Sequence, residues 1–298
     1  MRGDHCGTRT ILLTGGTGFL GGNLLFKLVE DDFRVIVLTR SSSDVSRIAP
    51  VLERVTLCTG EKGGYDALFR DHQIDIILHC ATNYGRKEMD PLALLEANLF
   101  LPLKLLECGS RRGVTCFINT DTILDKRVNA YSLSKNQFKD WLKLYAQRIT
   151  CVNVALEHFY GPLDDETKFV THVIRSILHN VEVLPLTRGE QKRDFIFIED
   201  VIEAFVKIIR HTPSIGTGYY PFEIGSGESL SIRDFVTLVK RLAGDSQTVL
   251  DFGALPYRDH EVMESVVDTS AVRALGWNPK VSLEEGLRRT ITVEKNRS

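Results

Sequence analysis

No stretch of about 18 uninterrupted apolar residues occurs in the sequence, so no membrane-spanning helix is expected. The opening Met1–Thr10 is short and polar and lacks the apolar segment of a signal peptide. A cytoplasmic location is therefore expected. There is no C-x-x-C pair either. The six cysteines, Cys6, Cys58, Cys80, Cys108, Cys116 and Cys151, are scattered along the chain. Cys80, Cys116 and Cys151 sit in apolar runs and read as small buried hydrophobes. Reduced thiols are expected, rather than disulfides or a metal site. Charge of one sign is not in excess. The formal net charge of −2 gives no general attraction to nucleic acid or to anionic membranes. Internal repeats and low-complexity segments are also missing. What remains is a chain of 298 residues, 43% apolar and 26% charged, an ordinary globular composition. It can form one large α/β domain, or a large domain with a smaller one attached.

Strand and helix patterns alternate from the outset. Strands are expected at Thr10–Thr14, Arg34–Leu38, Val55–Cys58, Asp75–His79, Val114–Asn119 and Thr150–Leu156. Helices are expected at Phe19–Glu30 and Tyr131–Arg148, and along the stripe Leu92, Leu95, Leu99, Leu103 and Leu106, with a kink at Pro102. This alternation predicts a doubly wound, Rossmann-like parallel sheet covered on both faces. Beyond Tyr160-Gly161-Pro162 the regularity loosens. Helices at Phe169–Leu178, Ile198–Arg210 and Ser231–Leu242, strands near Val181–Leu184 and Phe222–Ile224, and a tail are expected there. The division anticipated is a dinucleotide-binding domain over residues 8–162 and a smaller α/β substrate lobe over 163–298, partly interwoven with it.

Gly15-Gly16-Thr17-Gly18-Phe19-Leu20-Gly21 falls between the first strand and the first helix. Glycines there permit a tight turn and a close approach of backbone to pyrophosphate, and the helix N-terminus offers unpaired N–H groups to the anion. Its placement makes this string a dinucleotide signal rather than a purely structural turn. The second strand runs into Thr39-Arg40-Ser41. An NAD site usually has an acid here for the ribose 2′-hydroxyl. A guanidinium pairs instead with a 2′-phosphate, so NADP(H) is the expected cofactor, against the alternative that Arg40 is a solvated surface charge.

Tyr131-Ser132-Leu133-Ser134-Lys135 is Y-x-x-x-K on a helix, and four-residue spacing puts both side chains on one face. A free phenol has a pKa of about 10. A nearby ammonium favours the phenolate, which suits Tyr131 to exchange a proton with a carbonyl or alcohol. Lys135 can also hold a cofactor ribose. The bland alternative is an amphipathic helix with a buried tyrosine. Asn119-Thr120-Asp121-Thr122 lies just beyond the fifth strand, at the carboxyl edge where such sheets bind ligands. Thr120 can hydrogen-bond the same substrate oxygen, or simply backbone.

Together these residues resemble the extended short-chain dehydrogenase/reductase family, which includes nucleotide-sugar epimerases, dehydratases and 4-keto reductases. The similarity covers nearly the whole chain. It takes in Thr14–Gly21, His79-Cys80-Ala81, Asn98, Thr120, Tyr131 with Lys135, and Tyr160-Gly161-Pro162. It continues through Arg193-Asp194-Phe195-Ile196, Ile224-Gly225-Ser226-Gly227-Glu228 and Leu275-Gly276-Trp277. The resemblance implies hydride transfer at a sugar carbon, with Thr120, Tyr131 and Lys135 catalytic. It implies cofactor contacts from Gly15, Thr17, Gly18, Phe19, Leu20, Gly21, Thr39, Arg40, Ser41, Cys80, Ala81 and Asn98. Diphosphate contacts from Arg193 and Arg258 are implied too, as is a homodimer that pairs helices Pro91–Glu107 and Tyr131–Arg148.

Departures narrow the subgroup. Dehydratases of the family carry Thr-Asp-Glu where this chain has Thr120-Asp121-Thr122, and threonine is a poor base. Most epimerases of the family keep NAD bound and carry the acid that is missing after the second strand. The chain is most similar to enzymes of the CDP-abequose and CDP-paratose synthase type, which reduce a 4-keto group on a CDP-linked sugar. Only ten residues separate Thr120 from Tyr131, where typical members have a longer proline-rich loop, so the pocket is reshaped. His158 stands where an Asn often meets the diphosphate, and is either a ligand contact or a satisfied pocket histidine. Thr82, Asn83, Tyr84 and Arg86 line the sugar site or are ordinary loop residues. Asp121 orients substrate or serves only as a helix cap or loop acceptor, and Thr122 is a candidate substrate contact. The expected activity is NADPH-dependent 4-keto reduction of a nucleotide-linked deoxy sugar; a 4-epimerase and a non-catalytic NADP-binding sensor are the alternatives.

Overall fold

The structure, a computed structural model, describes residues 9–60, 64–85 and 90–297. Cys6 and Arg86 lie outside the described residues. The elements run β1 Thr10–Thr14, α1 Phe19–Glu30, β2 Arg34–Thr39, β3 Thr56–Thr59, α2 Gly64–Asp71, β4 Ile76–His79, α3 Pro91–Leu95, α4 Leu101–Arg111, β5 Cys116–Thr122, α5 Ala130–Tyr145 and β6 Thr150–Leu156. They continue β7 His158–Tyr160, α6 Phe169–Leu178, β8 Val183–Leu186, β9 Lys192–Phe197, α7 Ile198–His211, β10 Gly218–Ile224, β11 Ser229–Ser231, α8 Ile232–Ala243, β12 Val249–Phe252, α9 Ser270–Arg273 and α10 Leu283–Lys295. The chain forms two compact units. One comprises Met1–Thr122, Asn129–Ala155 and Phe205–Phe222; the other comprises Ile123–Val128, Leu156–Ala204 and Glu223–Ser298.

The first unit is built on a seven-stranded parallel sheet in the order β10-β6-β5-β4-β1-β2-β3. The α/β class anticipated from the alternating pattern is the class observed. Buried on both faces, the central strands are nearly continuous apolar runs, and all five residues of β1 are buried. Leu13 pairs with Val37 of β2 on one side and with Leu78 of β4 on the other. The order of strands reverses at β1, so a crevice opens between the carboxyl ends of β1 and β4, where doubly wound sheets bind ligands. Under one face of the sheet, Leu12, Ile77, Phe117 and Cys151 form a core with Phe138 and Leu142 of α5. The Phe117 and Phe138 rings lie 5.7 Å apart. Cys80, Cys116 and Cys151 are buried, as their apolar neighbours predict.

Two of the expected elements of the first unit take a different form. The fifth strand does not stop at Asn119 but runs through Thr122, because its polar end finds buried partners, described below. The helix of residues 91–111 has no simple kink at Pro102. A π-helical turn at Glu96–Phe100 precedes the proline. Pro102 has no N–H to return to the preceding turn, and a wider turn accommodates that loss. The wider turn also changes which residues face inward. Leu94, Asn98, Pro102, Leu105 and Leu106 are buried, whereas Leu92 of the expected stripe is 75% exposed. Among the described residues no helix is long and apolar enough to cross a membrane.

The second unit holds a three-stranded sheet, β11-β9-β7, and a two-stranded one, β12-β8. Its core forms where α6, α8 and α10 meet, around Val173, Ile177, Phe235, Val239, Leu287 and Ile291. The Phe195 ring of β9 stacks on Phe235 at 3.9 Å. The stretch expected to be a tail contains α10, whose start is fixed by Ser282 accepting a hydrogen bond from the Glu285 N–H, with Glu284 and Glu285 in the first turn. The Arg193-Asp194-Phe195-Ile196 and Ile224-Gly225-Ser226-Gly227 motifs prove to be halves of one contact. The Asp194 carboxylate accepts from the Ser226 and Gly227 N–H groups at 2.7 Å each, and a Cβ on Gly225 would come within 2.7 Å of that carboxylate. Asp194→Ala removes an ionised acceptor from two backbone donors. It is expected to lower the stability of this unit by about 1–3 kcal/mol, read as a lower urea midpoint; an unchanged midpoint would contradict this.

Candidate active site

At the end of β1 the chain turns through Gly15, whose φ of +70° is a left-handed value. A Cβ there would lie 2.5 Å from the Ala81 nitrogen, and one on Gly21 would overlap the Gly15 carbonyl. Both glycines are thus required by close backbone approach. Gly18 is the N-cap of α1 and its N–H bonds back to Gly15 O at 3.0 Å. No side chain caps this helix, and its first turn carries no acid. Half-exposed Thr17 and exposed Gly18 lead into buried Phe19 and Leu20 at the positive end of the helix. Such a cradle fits the pyrophosphate of a dinucleotide.

β2 delivers Thr39, whose hydroxyl donates to Cys58 O at 3.4 Å, and then the exposed Arg40 and Ser41. Arg40 forms a turn with Ser43 through two hydrogen bonds of 3.0 and 3.1 Å. No carboxylate occurs before Asp44, whose oxygen accepts from the Ser46 N–H. Arg47, which the sequence reading did not single out, lays its aliphatic stem against Gly22 of α1.

β4 ends at His79-Cys80-Ala81. Cys80 N–H donates to Thr14 O at 3.2 Å, and Ala81 N–H to Thr14 Oγ1 at 3.1 Å. His79 Nδ1 is hydrogen-bonded to the same hydroxyl at 2.8 Å. Burial and then the Lys135 charge hold His79 well below the usual imidazole range, so the ring is neutral. Asn98, on the π-helical turn, accepts from Asn83 N–H and the Thr82 hydroxyl and donates to Asn83 O and Ser134 Oγ. Its two acceptor and two donor positions are all engaged within the protein. It acts on the site by pinning the loop that carries Asn83 and Tyr84. The Tyr84 ring lies 5.0 Å from that of Tyr131.

β5 contributes Thr120, buried, with its hydroxyl donating to His79 O at 3.0 Å. Asp121 is no helix cap. Its carboxylate accepts from the Thr122 N–H and from Asn153 of β6, both at 2.8 Å, and Asn153 in turn accepts from Asn119. α5 begins with a reciprocal capping box, Asn129 accepting from Ser132 N–H and Ser132 Oγ accepting from Asn129 N–H. This fixes the helix start and so places Tyr131 in its first turn and Lys135 one turn on. Lys135 is 2% exposed. Its ammonium donates to Thr120 O at 2.8 Å. Burial lowers its pKa to about 8, partly offset by the negative charge of Asp121. The same burial pushes the Cys80 thiol up to about 12, so Cys80 is a neutral wall.

The second unit holds the other residues singled out from the sequence. His158 Nδ1 meets Glu157 Oε2 at 2.7 Å. Arg193 is buried, paired with Glu261, and donates to Lys192 O at 2.7 Å. Arg258 is exposed. The sequence reading missed Glu157, Asn153, Glu261 and Ser265. None belongs to a spacing pattern, and each is defined only by its partner.

A model of the NAD dependent epimerase/dehydratase family matches residues 11–225. A CDP-abequose synthase of Salmonella muenchen is 31% identical over 296 residues, covering 96% of this chain and 98% of that protein. One from Salmonella typhimurium is 31% identical, with 93% and 95% covered. The crystal structure of a UDP-glucose 4-epimerase with UDP-glucose from Thermotoga maritima superposes with a TM-score of 0.84 at 25% identity, covering 97% of this chain and 99% of that one.

The buried ammonium has a consequence for stability. Its pKa is about 8 in the folded chain against 10.5 ordinarily. Between those values the unfolded chain binds more protons, so stability rises with pH, by at most about 1.4 kcal/mol per pH unit. Below about 8 the penalty of burying the charge is fully present. Urea unfolding of the native protein and of Lys135→Met should show the native-minus-variant difference climbing through that window. A flat difference would mean that the amine is not desolvated.

Proposed function

The chain belongs to the NAD-dependent epimerase/dehydratase family, and from that premise we propose that it is an NADPH-dependent reductase of the 4-keto group of a nucleotide-linked, in particular CDP-linked, deoxy sugar. The observation that carries this reading is the charge at the end of β2. Arg40 is solvent-exposed there, with no acid until Asp44, which suits a 2′-phosphate and a cofactor exchanged at each turnover. Thr122 supports it from the other side, since a hydroxyl cannot take the C5 proton that a dehydratase must remove. Identity to the two Salmonella CDP-abequose synthases supports the CDP-linked substrate.

When bound, the cofactor supplies a hydride to C4. The protein's own residues do the rest. As the carbonyl oxygen gains negative charge, Tyr131 donates its phenolic proton to it. Lys135 spends one N–H on Thr120 O and keeps two for the phenol oxygen and a ribose hydroxyl. Its positive charge stabilises the phenolate left behind. Thr120 must turn its hydroxyl from His79 O to the substrate oxygen in order to polarise it. Gly15, Gly18 and Gly21 admit the pyrophosphate, and Cys80 and Ala81 wall the crevice. In the first unit Asn83, Asp121 and Thr122 are the candidates to contact a sugar; in the second, Arg193, His158 and Arg258 are the candidates to contact a diphosphate. A 4-epimerase with tightly held NAD is the second reading, favoured by the likeness to the Thermotoga fold.

The proposed homodimer rests on exposed apolar side chains at Leu92, Phe100, Leu133, Trp141 and Leu144, on helical segments that pack together at residues 91–111 and 130–145. Sedimentation should give a dimer for the native chain and a monomer for Trp141→Glu with Leu144→Glu; an unchanged dimer would place the interface elsewhere.

Mixed with CDP- or dTDP-4-keto-6-deoxyglucose, the protein should consume NADPH in proportion to sugar. Tyr131→Phe should lower kcat about 10²–10⁴-fold, and Arg40→Ala should raise KM for NADPH but not for NADH. Stoichiometric bound NAD with no NADPH consumption on any such sugar would favour the epimerase.

A further inference from the structure

We propose that Glu261 is an internal stand-in for the substrate's diphosphate: its carboxylate neutralises Arg193 while substrate is absent, and the incoming nucleoside diphosphate displaces it. The proposal rests on the nucleotide-sugar reading above and adds a residue to it.

Arg193 is 6% exposed. A buried guanidinium without an anion is strongly unfavourable, so some acceptor must always be present. Glu261 is that acceptor now. The other carboxylates nearby are already committed. Glu157 lies within electrostatic reach of both Arg193 and Asp194, but one of its oxygens takes His158 and the other the Ser265 hydroxyl. Asp194 holds the Ser226 and Gly227 N–H groups. Two carboxylates, Glu261 and Glu157, thus already face one guanidinium, with Asp194 behind Glu157. A dianionic diphosphate cannot join them on Coulombic grounds unless one leaves.

Glu261 is the one built to leave. Glu157 sits beside β7 and Asp194 lies on β9, whereas Glu261 belongs to residues 253–269, a segment with no helix or strand beyond an isolated bridge between Lys192 and Glu264. The residue before it, His260, has a φ of +61°, a left-handed value unfavourable for a residue with a Cβ. A turn bonds Glu261 N–H to Arg258 O at 3.1 Å, and Arg258 is exposed. Rearranging that turn withdraws an anion and frees a neighbouring cation to approach the same ligand. The pair Arg193–Glu261 therefore sets an energetic threshold for binding and drives release of the product, whose diphosphate must compete with a carboxylate tethered beside it.

The test is calorimetric titration of CDP, UDP, dTDP, GDP and inorganic pyrophosphate into the native chain, Glu261→Gln and Glu261→Asp. Expected is binding of at least one nucleoside diphosphate tightened tenfold or more in Glu261→Gln and by less in Glu261→Asp, with NADP+ affinity unchanged. A residue that merely braced Arg193 would give weaker binding when removed, so the direction is diagnostic. Should Glu261→Gln fail to fold, the shortened carboxylate of Glu261→Asp still decides the matter by the sign of its effect. Equal or weaker binding in the folded variants overturns the inference and leaves the substrate class standing. No binding of any nucleoside diphosphate to native or variant protein overturns both. Tightening of pyrophosphate and of every nucleotide alike supports the proposal and places recognition at the diphosphate rather than at the base.

Discussion

A single buried ammonium, bonded to the carbonyl of a strand residue, organises the candidate site. Lys135 donates to Thr120 O from the first turns of α5, and in doing so ties the helix to the carboxyl edge of the sheet at β5. The contact depends on what precedes it. The Asn129–Ser132 capping box sets where the helix begins, and the Phe117–Phe138 packing sets how closely it lies on the sheet. It also depends on what compensates it. Burial lowers the pKa of this lysine to about 8, and the negative charge of Asp121 offsets part of that desolvation.

Around that charge runs a row of buried polar side chains across four adjacent strands: Thr14 on β1, His79 on β4, Asn119, Thr120 and Asp121 on β5, and Asn153 on β6. An apolar row would pack at least as well, because each polar group must find a partner or be left at a cost of about 1–3 kcal/mol. Most do find one. His79 Nε2 and Asn119 Oδ1, on residues paired in register between β4 and β5, are buried without one. A sheet edge that retains such groups is fitted to hold charge and hydroxyls in fixed positions rather than to maximise stability.

The legible parts of the sequence were those in which one physical signal dominated. β1, α1, β6 and α6 fall on the residues expected, because an apolar run or a 3.6-residue stripe is bounded by glycines or by a change of period. The glycine turn was legible because Gly15 and Gly21 have steric reasons to be glycine that coincide with their spacing. The helix at 91–111 was misread in its buried face, since a π-helical turn has no signature apart from the proline after it. In the second unit β7 and β11 span three residues each, too short for period-two alternation to register, and α10 was missed although Ser282 and Glu285 announce its start. Glu157 and Glu261 were invisible for a different reason. Their roles arise from pairing with His158, Ser265 and Arg193, and no spacing connects residues 157, 193, 261 and 265.

Net reduction requires that a hydride reach a sugar carbon in the crevice beside Lys135. The most direct measurement is isotopic. NADPH carrying deuterium on its transferable position would be incubated with a CDP-linked 4-keto-6-deoxy sugar, and the product examined by mass spectrometry and NMR. One deuterium fixed at C4, matched by one NADP+ formed, with formation of this labelled product slowed or lost in Lys135→Met, is the predicted result. Unlabelled product, or label at any other carbon, would contradict it.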